Sequence, residues 1–510
     1  MEQEQGVGNL VRPSEVAENG NPAENVSPPK TGARAIGRQA GRGFGWSLLG
    51  NLVMKAGSFV MGLILARLLS PSDFGIYAVA LAATAFVMVV KDLGIMAATI
   101  QWRGSLDEMA PTATVLNLVS ATTLYGVFWV GAPYFAAAAG SAEAAPVVRL
   151  LTAVILVEAV TAVRSAALLR RFQQDKSSIA ILAGFVVNAA VAITLAANGA
   201  GPYSFAWGQV AAAVVTGVIV LRLAKLPFRF GLDREIAKKL LRFGIPSAVG
   251  IGLEAVLLNV GYIIVGYILG PVWLGFYLLA FNVSSWVPGL IGTAIRTVSI
   301  AGFSRLAEDK PESLSKGVQR SVPLLFAGVL PLAIVMGVLA HPLIMFLYGA
   351  KWDQAAGVLR FLAVLMVVRM LTSLALDILN GQGATKATVW MNIGYGAAMV
   401  PAVIVGTHLD GIRGAALGQA SAALLVALPL AILGVHRAGV KLAPIPPTLI
   451  RPALGGIVSC AVTALLSAAL DGHYLLELGV AGGAGLVVYG LIVVPLGSLR
   501  HVGSRVARFV

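Results

Sequence analysis

Charged residues deep inside long apolar runs define what chemistry this chain could do. Lys55 lies about eleven residues from either end of the first apolar run, too deep for its ammonium to reach water easily. Asn51 precedes it by one helical turn, so the two residues share a polar face. Glu254 lies at a similar depth in a later run. The ammonium could attract an anionic substrate, and the carboxylate could carry a coupling proton or sodium ion.

A second pair of charges occupies matching depths in two other runs. Glu158 and Arg369 align when the segment beginning at Arg149 is superimposed on the one beginning at Arg360. Ionisable residues inside a membrane usually mark functional sites, so we interpret these charges as the lining of a central cavity. The alternative is that they form ion pairs between helices and fix the bundle.

Two further cations, Arg164 and Arg296, lie close to the cytoplasmic ends of their runs. Side chains at such positions either snorkel to water or line the inner mouth of the cavity. The predicted substrate-binding cations are Lys55, Arg369, Arg164 and Arg296, and the predicted coupling or gating residues are Glu254, Glu158 and Asn51.

Membrane-spanning helices are the elements that must position these residues. Hydrophobic residues make up 58% of the 510-residue chain and charged residues only 12%, about half the charge of a soluble domain. Apolar runs of about 20 residues, the length that crosses a bilayer, recur along almost the whole chain. We therefore predict an all-α integral membrane protein of about fourteen transmembrane helices.

The distribution of positive charge predicts the direction of these helices. Most of the 37 Lys and Arg residues fall in alternate loops, whereas the other loops hold only Arg67, Lys351 and Arg413. Cytoplasmic loops carry the excess of cations, so both termini are expected in the cytoplasm of a bacterial inner-membrane protein. The net charge of +14 then reflects loops that face anionic lipid rather than a nucleic acid partner.

An internal repeat divides the chain. Pro71, Gly75 and Tyr77 recur as Pro271, Gly275 and Tyr277. Six helices separate the copies, so the two predicted lobes share one orientation about an axis along the membrane normal. The predicted organisation is a disordered cytoplasmic tail (1–43), an N-lobe (44–221), a basic cytoplasmic linker (222–243), a C-lobe (244–433), a cytoplasmic loop (434–451), two C-terminal helices (452–497) and a basic tail (498–510).

No motif in the sequence points to catalysis or a bound cofactor. The five histidines lack metal-ligand spacing, and no glycine-rich loop followed by Lys and Ser or Thr is present to bind a nucleotide. We therefore expect neither an enzyme nor a cofactor.

The run from Leu65 to Ala80, LARLLSPSDFGIYAVA, resembles the opening signature of bacterial polysaccharide transporters. These are the O-antigen and exopolysaccharide flippases of the multidrug/oligosaccharidyl-lipid/polysaccharide exporter superfamily. The segments 92–94, 274–280, 303–306 and 347–349 are also similar to this family. The resemblance implies a V-shaped, two-lobed fold of fourteen helices. In related lipid II flippases the first helices of each lobe supply cavity cations; Lys55 matches that pattern, and Glu254 departs from it.

The resemblance also implies the substrate and its partners. A flippase of this family carries oligosaccharide linked through pyrophosphate to a polyprenyl lipid across the cytoplasmic membrane by alternating access. The expected partners are this lipid-linked oligosaccharide and membrane lipids, with a polysaccharide polymerase and glycosyltransferases nearby. A multidrug or cation antiporter of the same superfamily and a non-transporting scaffold of a polysaccharide synthase are the alternatives.

Overall fold

The computed structural model describes residues 50, 53–92, 106–171, 173–224, 226, 229–286, 288, 311–382, 384–443, 445–470 and 472–494. Nearly all of these residues are helical, and none of them lies in a β-strand. The helices are α1 (53–68), α2 (Pro71–Asp92), α3 (Leu106–Ala138), α4 (Ala145–Thr152), α5 (Val154–Arg170), α6 (Gln174–Ala197), α7 (Tyr203–Leu223), α8 (Arg234–Leu269), α9 (Pro271–Ser284), α10 (Pro311–Val338), α11 (Ala340–Tyr348), α12 (Asp353–Gly381), α13 (Thr385–Ala422), α14 (Leu428–Arg437), α15 (Ile445–Ala469) and α16 (Gly482–Val493).

Ten stretches of the described chain are long and apolar enough to cross a bilayer, which makes this a multi-pass membrane protein. One of them, Ala387–Arg437, is folded into two arms, because the backbone turns at Asp410 and Gly411. Gly406 meets Gly414 across this turn, and Gly418 meets Ala402, so the arms are antiparallel. The helices α1, α8 and α9 also contain apolar runs, and the count of fourteen stays a prediction.

Local sequence explains where several helices begin. Proline opens α2 and α9, since its fixed φ suits a first helical turn and its missing N–H needs no partner there. Asp233 caps α8 by accepting hydrogen bonds from the backbone N–H groups of Glu235 (2.8 Å) and Ile236 (3.0 Å). The helix therefore begins inside the predicted basic linker, and the linker's last residues form its first turns.

Corresponding positions of the predicted repeat meet in the structure. The Cα of Gly75 lies against the backbone carbonyl of Pro271, and that of Gly275 lies against the carbonyl of Pro71. A reciprocal contact of this kind is what a two-fold relation produces. A Cβ at either glycine would collide with the facing carbonyl, so α2 and α9 approach as closely as they do because both residues are glycine.

We call α1–α7 the N-terminal half and α8–α14 the C-terminal half. The largest cluster of buried apolar side chains contains residues of both halves, including Leu65, Ala78, Leu278 and Leu359. The α1–α2, α8–α9 and α11–α12 turns meet at one end of the bundle, which we call the distal end. Charge sidedness predicts that this end faces away from the cytoplasm.

Candidate functional site

Arg67 joins the two halves at the distal end. Its guanidinium Nε donates to the carbonyl of Leu347 (2.9 Å), and Nη2 donates to the carbonyl of Phe346 (2.8 Å). Both acceptors lie in the last turn of α11, where helix carbonyls lack partners and carry partial negative charge. A cation at the end of α1 thus caps a helix of the opposite half.

The opposite half returns the same kind of contact. Lys351 Nζ donates to the carbonyls of Arg67 (2.9 Å) and Leu69 (2.8 Å), and Trp352 Nε1 donates to the carbonyl of Ala66 (2.8 Å). These groups cap the C-terminal end of α1. We refer to the hydrogen bonds made by Arg67, Lys351 and Trp352 as the distal latch.

Aromatic packing seals the bundle beside the latch. Trp352 is fully buried, with Phe74 of α2 at 4.9 Å and Phe276 of α9 at 5.8 Å between ring centroids. Both rings meet the indole edge to face, which is a favourable arrangement for aromatic pairs. The distal end between the halves is therefore closed.

A second contact between the halves lies close to Lys55 along α1. Phe59 of α1 meets Trp286, just after α9, with ring centroids 4.2 Å apart. Lys55 precedes Phe59 by one helical turn on the same face, and its side chain is exposed. Lys55 therefore lies one helical turn further from the distal end than Phe59 does. Asn51 lies outside the described residues.

Glu158 has a partner in the N-terminal half. Its carboxylate forms an ion pair with Lys91 Nζ at 2.9 Å, and the Lys91 side chain is only 6% exposed, compared with 43% for Glu158. The Ser120 hydroxyl donates to the Lys91 carbonyl at 3.0 Å and ties this end of α2 to α3. Lys91 stands at the edge of a predicted span, and its pairing with Glu158 was not predicted.

The alternative in which Arg164 snorkels to water is not seen, because only 2% of the residue is exposed. One of its guanidinium nitrogens donates to the carbonyl of Val160 at 3.3 Å. Arg296 and the side chain of Glu254 lie outside what the structure describes.

Arg369 lies in the interior of the C-terminal half, with its guanidinium carbon 5.3 Å from the ring centroid of Phe281. It lines a cavity of about 100 Å³ between α8, α12 and the two arms of α13, which we call the Arg369 pocket. The Tyr277 hydroxyl donates to the Gln419 side-chain oxygen at 2.6 Å at this level. In the N-terminal half Gln209 donates to the Tyr77 hydroxyl, so both halves pair a tyrosine with a glutamine.

A multi-pass helical membrane bundle with a closed distal end and charged residues in its interior is typical of membrane transporters. The sequence model of the family described as "Polysaccharide biosynthesis protein" matches residues 64–357, more than half of the chain. The chain therefore belongs to this family, and the resemblance carried by the Leu65–Ala80 run is confirmed.

Two named relatives cover most of the chain. The succinoglycan biosynthesis transport protein ExoT of Rhizobium meliloti is 25% identical over 372 residues, which is 72% of this chain and 74% of that protein. The lipopolysaccharide biosynthesis protein WzxC of Escherichia coli is 21% identical over 381 residues, or 73% and 76% of the two chains.

Solved transporters share the fold. The lipid II flippase MurJ in an inward closed conformation superimposes with a TM-score of 0.70 at 13% identity, covering 86% of this chain and 98% of that one. An inward-facing multidrug resistance MATE family transporter of the MOP superfamily gives 0.61 at 17% identity, covering 77% and 98%. Identities this low show a common fold and do not assign a substrate.

Proposed function

We propose that this chain is a flippase that carries polyprenyl-pyrophosphate-linked oligosaccharide across the cytoplasmic membrane by alternating access. The observation that carries the proposal is the distal latch, in which each half caps a helix of the other. Contacts of this kind must break before a cleft can open at that end. The family and the names of the relatives support polysaccharide precursors as the cargo.

In this proposal the distal end faces outward and both termini lie in the cytoplasm. Six helices form each lobe, and two C-terminal helices stand outside the repeat. The structure then represents a state closed to the outside, with Lys55 below the Phe59–Trp286 contact, where a head group would enter from the cytoplasm. The protein moves its substrate without chemical change, and a polymerase and glycosyltransferases act before or after it.

The predicted site residues keep their roles as part of this proposal. Lys55 and Arg369 neutralise phosphate or other anionic groups of the substrate, and Arg164 and Arg296 add positive charge nearer the cytoplasm. Glu254, Glu158 and Asn51 couple or gate the motion. Glu158 does so through Lys91, because the half-exposed ion pair joins α2 to α5 and breaks when these helices move apart.

An apolar groove supports a lipid-linked cargo. It has a volume of about 230 Å³ and is walled by α10, α12, α14 and α15, with Val322, Leu374, Val435 and Leu449 among its lining residues. Such a groove suits an isoprenoid chain through packing contacts, since inside a bilayer association depends on van der Waals packing rather than on removal of apolar surface from water. The tail would stay beside the bundle while the head group crosses between the halves.

Reconstituted transport tests this function. The full-length protein is placed in liposomes with a fluorescent polyprenyl-pyrophosphate oligosaccharide, and transfer between leaflets is followed by a membrane-impermeant quencher. We expect transfer well above that of protein-free liposomes, and a marked reduction for Lys55→Gln compared with Lys316→Gln, an exposed lysine at one end of α10. Transfer equal to the protein-free rate rules the flippase out. Export of cationic dyes in its place would indicate the drug antiporter.

A further inference from the structure

The Arg369 pocket has a lining whose chemistry differs from that of the cleft between the halves. Its polar lining residues are Arg369, Thr372, Ser373, Asn392, Tyr395 and Gln419. None of the described residues that line it is acidic. The pocket therefore combines one permanent positive charge with hydroxyl and amide groups that can donate hydrogen bonds.

Arg369 and Glu158, which align in the sequence, have different surroundings. Glu158 is neutralised by Lys91 at 2.9 Å. Arg369 instead has the face of Phe281 against its guanidinium. A ring stabilises a cation far less than a carboxylate does, and an intramembrane charge is costly without a counter-charge. An anion in the pocket would supply that counter-charge.

The surrounding hydrogen bonds hold the pocket's shape. The Tyr277 hydroxyl donates to the Gln419 side-chain oxygen at 2.6 Å and links α9 to the second arm of α13. Thr372 donates to the carbonyl of Arg369 at 3.1 Å, one turn back on α12. These bonds help to hold the wall of the pocket, and none of the described carboxylates forms an ion pair with Arg369.

The pocket is small. Its volume of about 100 Å³ leaves room for a carboxylate or a phosphate group. Arginine binds both groups through two parallel hydrogen bonds.

We propose that the Arg369 pocket binds a carboxylate or phosphate substituent on the sugar part of the transported lipid. This inference rests on the proposed function and adds to it a preference for acidic head groups. The pocket lies inside the C-terminal half, whereas Lys55 lies on α1. In this proposal the pocket binds the substituent, and Lys55 contacts the pyrophosphate.

Ligand binding to the purified full-length protein tests the pocket without transport. Thermal unfolding is followed with increasing glucuronate, inorganic phosphate or glucose, at constant ionic strength. We expect glucuronate or phosphate, and not glucose, to raise the melting temperature, with an apparent affinity about tenfold weaker in Arg369→Gln. Arg360→Gln, an exposed arginine on the same helix, should bind as the wild type does. Equal binding by Arg369→Gln and the wild type, or no binding by the wild type, overturns the proposal.

A transport comparison distinguishes substrate recognition from capture of a free anion. Lipid-linked disaccharides with and without a terminal uronic acid are compared in liposomes. We expect Arg369→Gln to slow the acidic substrate about tenfold and to leave the neutral one unchanged, with partial rescue by Arg369→Lys. Equal slowing of both substrates, or of neither, contradicts the subsite. If the wild type moves neither, the flippase function fails, and the binding experiment still decides the pocket.

Glu254 could supply the counter-charge of Arg369 in place of a bound anion, because it lies one turn before the lining residue Leu257 on α8. An ion pair between Glu254 and Arg369 would make the two single variants equally defective and the double variant Glu254→Gln with Arg369→Gln close to the wild type. That rescue would overturn the proposal. Independent effects of the two substitutions would support it.

Discussion

Replacing Lys351 with methionine is expected to open the distal end more often. Hydrogen bonds to charged groups contribute about 1.5–3 kcal/mol each, and the Lys351 ammonium makes two across the halves. The residue is exposed, so solvent screening reduces their joint contribution to about 1–2 kcal/mol. Because about 1.4 kcal/mol is a factor of ten, the open population should rise roughly 5–30-fold.

Cysteine labelling measures this change. Cys460 is the free cysteine of the chain and is exposed, so it is first replaced by serine. Ala78, which is fully buried below the Gly75 contact, is then replaced by cysteine as the reporter. Alkylation by a membrane-impermeant maleimide added outside should be faster in Lys351→Met by the factor given above. Trp352→Phe, which loses the donor to Ala66, should act in the same direction.

A matched lysine provides the control. Lys316 is also exposed, but lies on α10 away from the latch, and Lys316→Met should label at the unmodified rate. If Lys351→Met and Trp352→Phe also label at that rate, the distal latch does not hold the halves together.

Three further substitutions test the fold around the site. Gly75→Ala should lower the melting temperature by forcing α2 from the facing proline carbonyl, at a cost of about 1–3 kcal/mol, whereas Gly126→Ala, with open space around it, should not. Lys91→Met should destabilise the protein by about 1–2 kcal/mol, allowing for the exposed carboxylate of its partner; adding Glu158→Gln should restore part of the loss in a double-mutant cycle. Asp233→Ala removes the cap of α8 and should cost about 1 kcal/mol, again seen as earlier thermal unfolding.

The bilayer made the fold class predictable from sequence. A segment that crosses lipid must satisfy its own backbone hydrogen bonds, so apolar runs of the right length are almost always helices. The predicted repeat rests partly on Gly75 and Gly275, which meet the facing backbone so closely that no larger residue fits. The turn at Asp410 and Gly411 falls between the apolar runs 387–406 and 413–433, which are two of the predicted spans.

Partners of charged residues were not predictable in the same way. Counting charges assigned Arg67 and Lys351 to outer loops, but it could not show that each caps a helix of the other half, because capping depends on how remote turns meet. Glu158 was expected to gate or to line a cavity, and its ion pair with Lys91 depends on the packing of α2 against α5. An informative signal was available for the latch: two of the few cations outside the cytoplasmic loops were Arg67 and Lys351.

Locking the distal end tests alternating access most directly. Ser70 and Lys351 are exposed on opposite sides of the latch, and both are replaced by cysteine in the Cys460→Ser protein. A short, reducible bifunctional thiol reagent then bridges them in liposomes that contain the fluorescent lipid-linked oligosaccharide. We predict that bridging stops transfer of the lipid and that reduction restores it, while the reagent leaves each single-cysteine variant at its own untreated rate. Transfer that continues at the unbridged rate in fully bridged protein would contradict a flippase that works by opening this end.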